Sequence, residues 1–147
     1  MLKNIHPLLS ADLLYILRSM GHGDELILAD CNFTSSSVAA HTVTGELINM
    51  NGVDVPEAAG AILSVFPLDS FVEHAVLRME VVGNPDELVP CHSDMQRVVK
   101  ETSGDQWEMG SIERFAFYER ARNAYAVVCA GNERRSHGCF VLVKGVL

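Results

Sequence analysis

Leu26-Ile27-Leu28-Ala29 is a short, unbroken apolar run that stops at Asp30. A strand with one wet face alternates apolar and polar residues, whereas a strand covered on both faces reads as a continuous apolar stretch. The run therefore predicts a central strand with packing above and below it. Two more apolar strands are predicted at Ala126 to Ala130 and Phe140 to Lys144, joined by a polar turn. Helical signals lie between the strands. Ser10 offers an N-cap hydroxyl to Ala11-Asp12-Leu13-Leu14, Asp12 suits the helix dipole, and Leu9 can staple to Leu14. Leu13, Leu14, Leu17 and Met20 recur at helical spacing, and Gly21 is expected as a left-handed stop.

Thr42 to Ile48 is predicted extended, and Asp54 and Pro56 introduce a helix from Ala58 to Phe66, weakened by Gly60 and stopped at Pro67. Ala75 to Val82 reads as a strand, Gly83-Asn84-Pro85 as a loop, and Asp94 to Thr102 as a weak helix. A compact helix runs from about Ile112 to Asn123, with Phe115, Ala121 and Ala124 as its buried stripe and Phe115 and Phe117 assigned to the core. Alternating strands and helices place the chain in the α/β class, with a mostly parallel central sheet flanked by helices.

The 147 residues suit one domain over residues 1–147, without repeats or a composition break. A chain of this size buries roughly 70% of its unfolded surface. With 48% hydrophobic and 20% charged residues, disorder is excluded. A net charge of −8, unopposed by any basic cluster, argues against nucleic acid and anionic membrane as partners. No apolar run reaches the roughly 18 to 20 residues of a membrane span. Pro7, Asp12 and Arg18 interrupt the N-terminal stretch, so neither an anchor nor a signal peptide is expected. Cys31, Cys91, Cys129 and Cys139 lack Cys-x-x-Cys spacing and are expected as buried thiols in a reducing cytoplasm.

Several residues could carry chemistry. In Gly21-His22-Gly23-Asp24 an imidazole stands between two glycines, open to close approach by a ligand and able to exchange protons near neutral pH. The spacing equally describes a surface histidine whose glycines only make the turn. Asp30 closes a strand at the end where α/β sheets bind ligands, so its carboxylate either holds hydroxyl groups or caps the next turn. Arg114 and Tyr118, four apart, share a helix face and can grip vicinal hydroxyls, although Arg114 can instead pair with Glu113 or Glu119. His137 and Cys139 supply at most one imidazole and one thiolate, without the further ligands a zinc site needs. Ser35-Ser36-Ser37 with His41 lacks a nucleophile elbow and reads as a flexible polar loop.

Met1-Leu2-Lys3, Pro7-Leu8-Leu9-Ser10, Met20-Gly21-His22-Gly23-Asp24-Glu25 and Asp30, together with Arg114-Phe115-Ala116-Phe117-Tyr118-Glu119-Arg120-Ala121 and Lys144-Gly145-Val146, resemble the RbsD/FucU family. The likeness is to its L-fucose mutarotase branch rather than its D-ribose pyranase branch. It spans the chain, most specifically in the two long blocks; from about Phe33 to Met109 it rests on length and hydrophobic pattern. The resemblance implies an RbsD-like α/β fold and an isomerase that needs no cofactor or metal. It implies His22 as catalytic proton donor, with Tyr118 as a second proton-transfer or orienting group. Asp30, Arg114 and the block His137-Gly138-Cys139 correspond to sugar-binding positions. Relatives carry tyrosine-glycine-asparagine in that last block, so a phenol and a carboxamide are replaced here. Glu113 stands where relatives often have asparagine.

The implied reaction interconverts the α and β anomers of L-fucose or a related sugar. The alternatives are a pyranase, exchanging pyranose and furanose rings, or a non-catalytic sugar-binding or regulatory protein. Five extended residues from Glu25 to Ala29 would span roughly 16 Å, placing His22 and Asp30 at opposite ends of one strand. One pyranose cannot bridge them. The expected site is therefore composite, built by neighbouring subunits of a ring-shaped homo-oligomer, which the resemblance implies is often a decamer.

Overall fold

The computed structural model describes residues 2–147. Its strands are β1 (Glu25–Ala29), β2 (Leu47–Met50), β3 (Val76–Met79), β4 (Gly110–Ile112), β5 (Ala126–Ala130) and β6 (Phe140–Val143). Its helices are α1 (Ala11–Ser19), α2 (Ser35–Ala39), α3 (Val55–Leu63), α4 (Pro90–Ser103) and α5 (Arg114–Arg122). One sheet has the order β2-β5-β1-β6-β3-β4. β1, β2 and β5 run parallel, as do β3 and β4, and β6 is antiparallel to both its neighbours β1 and β3. Leu26, Ile27, Leu28 and Ala29 are each 0% exposed, so β1 is covered on both faces as its unbroken apolar run predicts.

Ser10 caps α1 by accepting from the Leu13 amide at 3.2 Å. The expected left-handed stop at Gly21 is absent: Met20 already turns extended (φ −61°, ψ 139°), and the positive φ belongs to Gly23. Lys144 Nζ finishes the helix by donating to the carbonyls of Leu17 at 2.5 Å and Met20 at 2.6 Å. Ser35–Ala39 forms the short helix α2 rather than a flexible loop. Thr42 to Glu46 winds through turns and bends rather than extending, with Thr42 Oγ1 donating to the Ala39 carbonyl at 2.7 Å, so β2 starts only at Leu47. Local hydroxyl bonding of this kind competes with strand formation.

Asp54 caps α3 through the Glu57 amide at 3.0 Å, and Pro56 sits in its first turn. Gly60 faces α4, where a Cβ would lie 3.7 Å from Val98 Cγ1. α4 is the longest helix, 14 residues beginning at Pro90, where the sequence reading starts weakly at Asp94. Ile112 belongs to the unforeseen edge strand β4, and Glu113 caps α5. Within α5, Phe117 is 0% exposed but Phe115 is 77% exposed, which corrects its assignment to the core. Two residues along a helix rotate a side chain by about 200°, so both phenylalanines cannot face inward. The four cysteines are free thiols; Cys91 and Cys139 are buried, Cys129 is half-buried and Cys31 is exposed, contrary to the expectation for the latter two. Among the described residues no helix is long and apolar enough to cross a membrane.

Candidate active site

A pocket of about 210 Å³ opens where β1, β3 and β5 end, and Asp30, Arg114, Tyr118, His137 and Cys139 all line it. Ligands of open α/β sheets bind outside the carboxyl ends of strands, and this pocket obeys that rule. Asn32, Phe33, Met79, Val82 and Ser136 complete its wall, none of them singled out by sequence reasoning. Asp30 is 4% exposed. Its Oδ1 accepts from the amides of Asn32 at 2.9 Å and Phe33 at 3.0 Å, and its Oδ2 from the Gly138 amide at 3.0 Å and the Cys139 thiol at 3.5 Å. The carboxylate thus caps the turn after β1 and ties it to the loop before β6. Gly138 fits because the space is full: a Cβ would come within 3.1 Å of Glu133 Cγ and 3.2 Å of Asp30 Cβ.

The loop from Gly131 to Cys139 hangs on a charge network centred on one buried carboxylate. Glu133, 1% exposed, accepts from Arg135 Nε at 2.9 Å, Arg135 Nη2 at 2.7 Å and the Val55 amide at 3.3 Å. Arg135 Nη1 reaches on to Asp94 of α4 at 2.7 Å. Burial opposes the Glu133 charge, but the Arg135 guanidinium and backbone amides hold its carboxyl down at about 2. Beside it, burial and the Glu133 charge push the Cys91 thiol up to about 12, so Cys91 donates its proton to Glu133 at 3.5 Å. Burial likewise raises the Cys139 thiol well above its ordinary value, followed by the Asp30 charge, which keeps it a neutral donor. His137 holds a left-handed φ of 61°, and its carbonyl accepts from His92 Nε2 at 2.9 Å. Burial lowers the His92 imidazole, which stays neutral with its other nitrogen facing the Val89 amide at 3.4 Å.

On the opposite wall, Tyr118 stacks at 5.0 Å between centroids against Phe33, and the Arg114 guanidinium lies 5.9 Å from the phenol ring centre. Glu113 spends its carboxylate on the amides of Phe115 at 2.8 Å and Ala116 at 3.0 Å, which lower its pKa, rather than on a surface pair with Arg114. Arg114 is exposed at the rim of the pocket, its guanidinium also 5.9 Å from the ring centre of the exposed Phe115.

His22 is elsewhere. It precedes β1, at the far end of the sheet from Asp30, and does not line the pocket. Its turn is pinned by the Gly21 amide on Asp24 Oδ2 at 2.6 Å and the Gly23 amide on the Lys144 carbonyl at 2.8 Å. Its Nε2 lies 3.0 Å from Oδ1 of Asp69, a buried carboxylate absent from the sequence reading. The Phe71 amide lowers the Asp69 pKa most, burial opposes, and the bond to His22 lowers it further. An ionised carboxylate only accepts, so Nε2 carries the hydrogen and Nδ1 is left uncommitted. The Phe71 ring packs 5.3 Å from the imidazole. Gly145 explains how Asp69 comes so close: its amide donates to the Pro67 carbonyl at 2.8 Å, and any Cβ there would collide with the Leu68 backbone.

The chain matches the RbsD / FucU transport protein family over residues 3–147. It belongs to the RbsD/FucU family. A fucose mutarotase of Danio rerio is 43% identical, over 99% of this chain and 94% of that protein. The crystal structure of protein Atu2016 superposes with a TM-score of 0.96 at 49% identity, over 100% of this chain and 97% of that one. The fucose mutarotase of Streptococcus pneumoniae in complex with L-fucose superposes with a TM-score of 0.87 at 37% identity, covering 99% of each chain. This RbsD/FucU member thus gathers five of its seven candidate residues at one pocket, sets Gly138 behind the wall, and leaves His22 at the other end of the sheet.

The Glu133, Arg135 and Asp94 network has no spacing signal because Asp94 is 39 and 41 residues from the other two, which lie two apart in an unremarkable polar turn. The Asp69 contact could have been suspected only from the tight Lys144-Gly145 ending, which demands a neighbouring backbone.

Proposed function

We propose that this protein is an aldose mutarotase interconverting the α and β anomers of L-fucose or a closely related monosaccharide. The observation that carries the reading is an imidazole oriented by Asp69, on a chain 43% identical to a fucose mutarotase over 99% of its length. Ring opening needs a proton delivered to the ring oxygen while one leaves the anomeric hydroxyl. The free aldehyde then turns about its bond to the next carbon and recloses on the other face. His22 Nδ1 serves as the acid and base, Tyr118 as the second proton-transfer or orienting group, and Arg114 and Asp30 as hydroxyl anchors. His137, Gly138 and Cys139 shape the remaining wall; the Cys139 thiol and the His137 ring stand where relatives offer a carboxamide and a phenol. General acid and base groups contribute about 10² to 10⁴ each in rate.

A subunit cannot join its own His22 to its own pocket across a strand of roughly 16 Å. The active unit in this proposal is a homo-oligomer, a decamer by family likeness, in which His22 of one subunit meets the pocket of its neighbour. Free thiols suit a reducing cytoplasm as its location. A second reading, a non-catalytic sugar-binding protein, is favoured by one observation: the family's phenol and carboxamide are replaced by His137 and Cys139.

Saturation-transfer NMR on L-fucose and a panel of aldoses tests the proposal. Anomer exchange faster than in buffer, lost in His22→Ala while binding persists, is the expected result. Exchange only between pyranose and furanose signals would make the protein a pyranase. Sugar binding with exchange at the buffer rate would leave the non-catalytic reading.

A further inference from the structure

A larger cavity, about 590 Å³, lies between α4 and the β3–β4 edge, and Arg78, Asp86, Leu88, His92, Gln96 and Met109 are among its walls. Its volume falls in the range of small-molecule sites, roughly 300 to 1,000 Å³. Its distinguishing feature is Arg78. The side chain is 7% exposed, yet it makes one hydrogen bond, from Nη2 to the Pro85 carbonyl at 2.8 Å, and Nη1 is buried with no partner. A guanidinium cannot shed its charge to relieve this burial.

The neighbouring groups are already engaged. Gln96 accepts from the Met109 amide at 2.8 Å and donates to the Trp107 carbonyl at 2.9 Å. His92 donates to the His137 carbonyl, and Glu108 pairs with Lys100. Asp86 stands at the exposed rim. A buried charge without a counter-charge is costly, and a cationic floor with the apolar walls of Leu88 and Met109 matches an oxyanion on a small organic body.

We propose that this cavity is a second ligand site, taking a small organic anion by its carboxylate or phosphate group on Arg78. It is separate from the sugar pocket, since successive residues of a strand face opposite sides: Arg78 turns to this cavity and Met79 to that pocket. The two sites touch through His92, which lines the cavity and holds the His137 carbonyl.

Crystals of the full chain soaked in sodium selenate, and calorimetric titration with inorganic phosphate and with acetate at constant ionic strength, test this. The expected result is an anomalous peak within hydrogen-bond reach of Arg78 and saturable heat in at least one titration. Heat from phosphate alone identifies a phosphorylated ligand, and heat from acetate a carboxylate. Arg78→Gln should weaken binding by at least about tenfold. Leu88→Trp crowds the exposed rim and leaves Arg78 in place; it should also weaken binding and covers the case in which Arg78→Gln does not fold. The proposal is overturned if both titrations are silent, if the peak and the affinity persist unchanged in the variants, or if Asp86 or a second copy of this chain occupies the guanidinium.

Discussion

The two ends of the central sheet are built in opposite ways. At the carboxyl ends of the parallel strands, side chains are locked: Asp30 and Glu133 are 4% and 1% exposed, and their carboxylates are taken up by amides, a thiol and Arg135. At the other end His22 stands with 45% of its side chain exposed, and only one of its ring nitrogens is committed, to Asp69. The locked end can hold a shape, and the open end can move a proton. A mutarotase needs both, and the contrast shows why substitutions at the two ends should fail differently.

His22→Ala should show the largest effect, a fall of about 10² to 10⁴ in anomer exchange with sugar affinity nearly unchanged, read by saturation-transfer NMR and calorimetry. A matching loss of affinity would erase the distinction between the ends. In the core behind the pocket, Phe117→Ala should cost about 3 to 5 kcal/mol in urea unfolding. Phe115→Ala, at an exposed position on the same helix, should leave the fold of each subunit within about 0.5 kcal/mol.

Glu133→Gln should destabilise by about 2 kcal/mol, because the amide loses charge-assisted bonds to Arg135, and should weaken sugar binding by loosening the loop to Cys139. Its carboxyl is lowered from 4.5 to about 2, so the stability it contributes is complete above pH 4.5 and lost as pH falls toward 2. Acid titration of the wild type should therefore show a decline in that window that the glutamine variant lacks. The smaller of the two rate effects belongs to Asp69→Asn. It should slow exchange at least about tenfold and shift the pH profile, since a neutral amide no longer fixes which nitrogen of His22 carries the hydrogen.

Much of this contrast was legible in the residues. The unbroken run before Asp30 located the central strand and the binding end of the sheet, because strands buried on both faces have a distinct composition. Arg114 and Tyr118 were placed on one face by helical periodicity alone. The same periodicity admits only one of Phe115 and Phe117 to the core, and which one depends on the side of α5 that meets the sheet. Ser35 to Ser37 and Thr42 to Glu46 are ambiguous in sequence because hydroxyl side chains that satisfy nearby backbone groups occur alike in loops and short helices. Asp69 and the Glu133 network depend on contacts between residues far apart in the chain, for which Gly145 is the one local hint.

In the proposed enzyme the two ends meet between subunits, and mixing tests that directly. His22→Ala and Arg114→Ala proteins, each inactive alone, are unfolded together, refolded and assayed for L-fucose anomer exchange. In a ring of head-to-tail contacts, random assembly restores both wild-type partners at about one quarter of the sites, so about a quarter of wild-type activity should return. No recovery from a mixture that has formed mixed oligomers would mean that His22 and the pocket act within one subunit, contradicting the account.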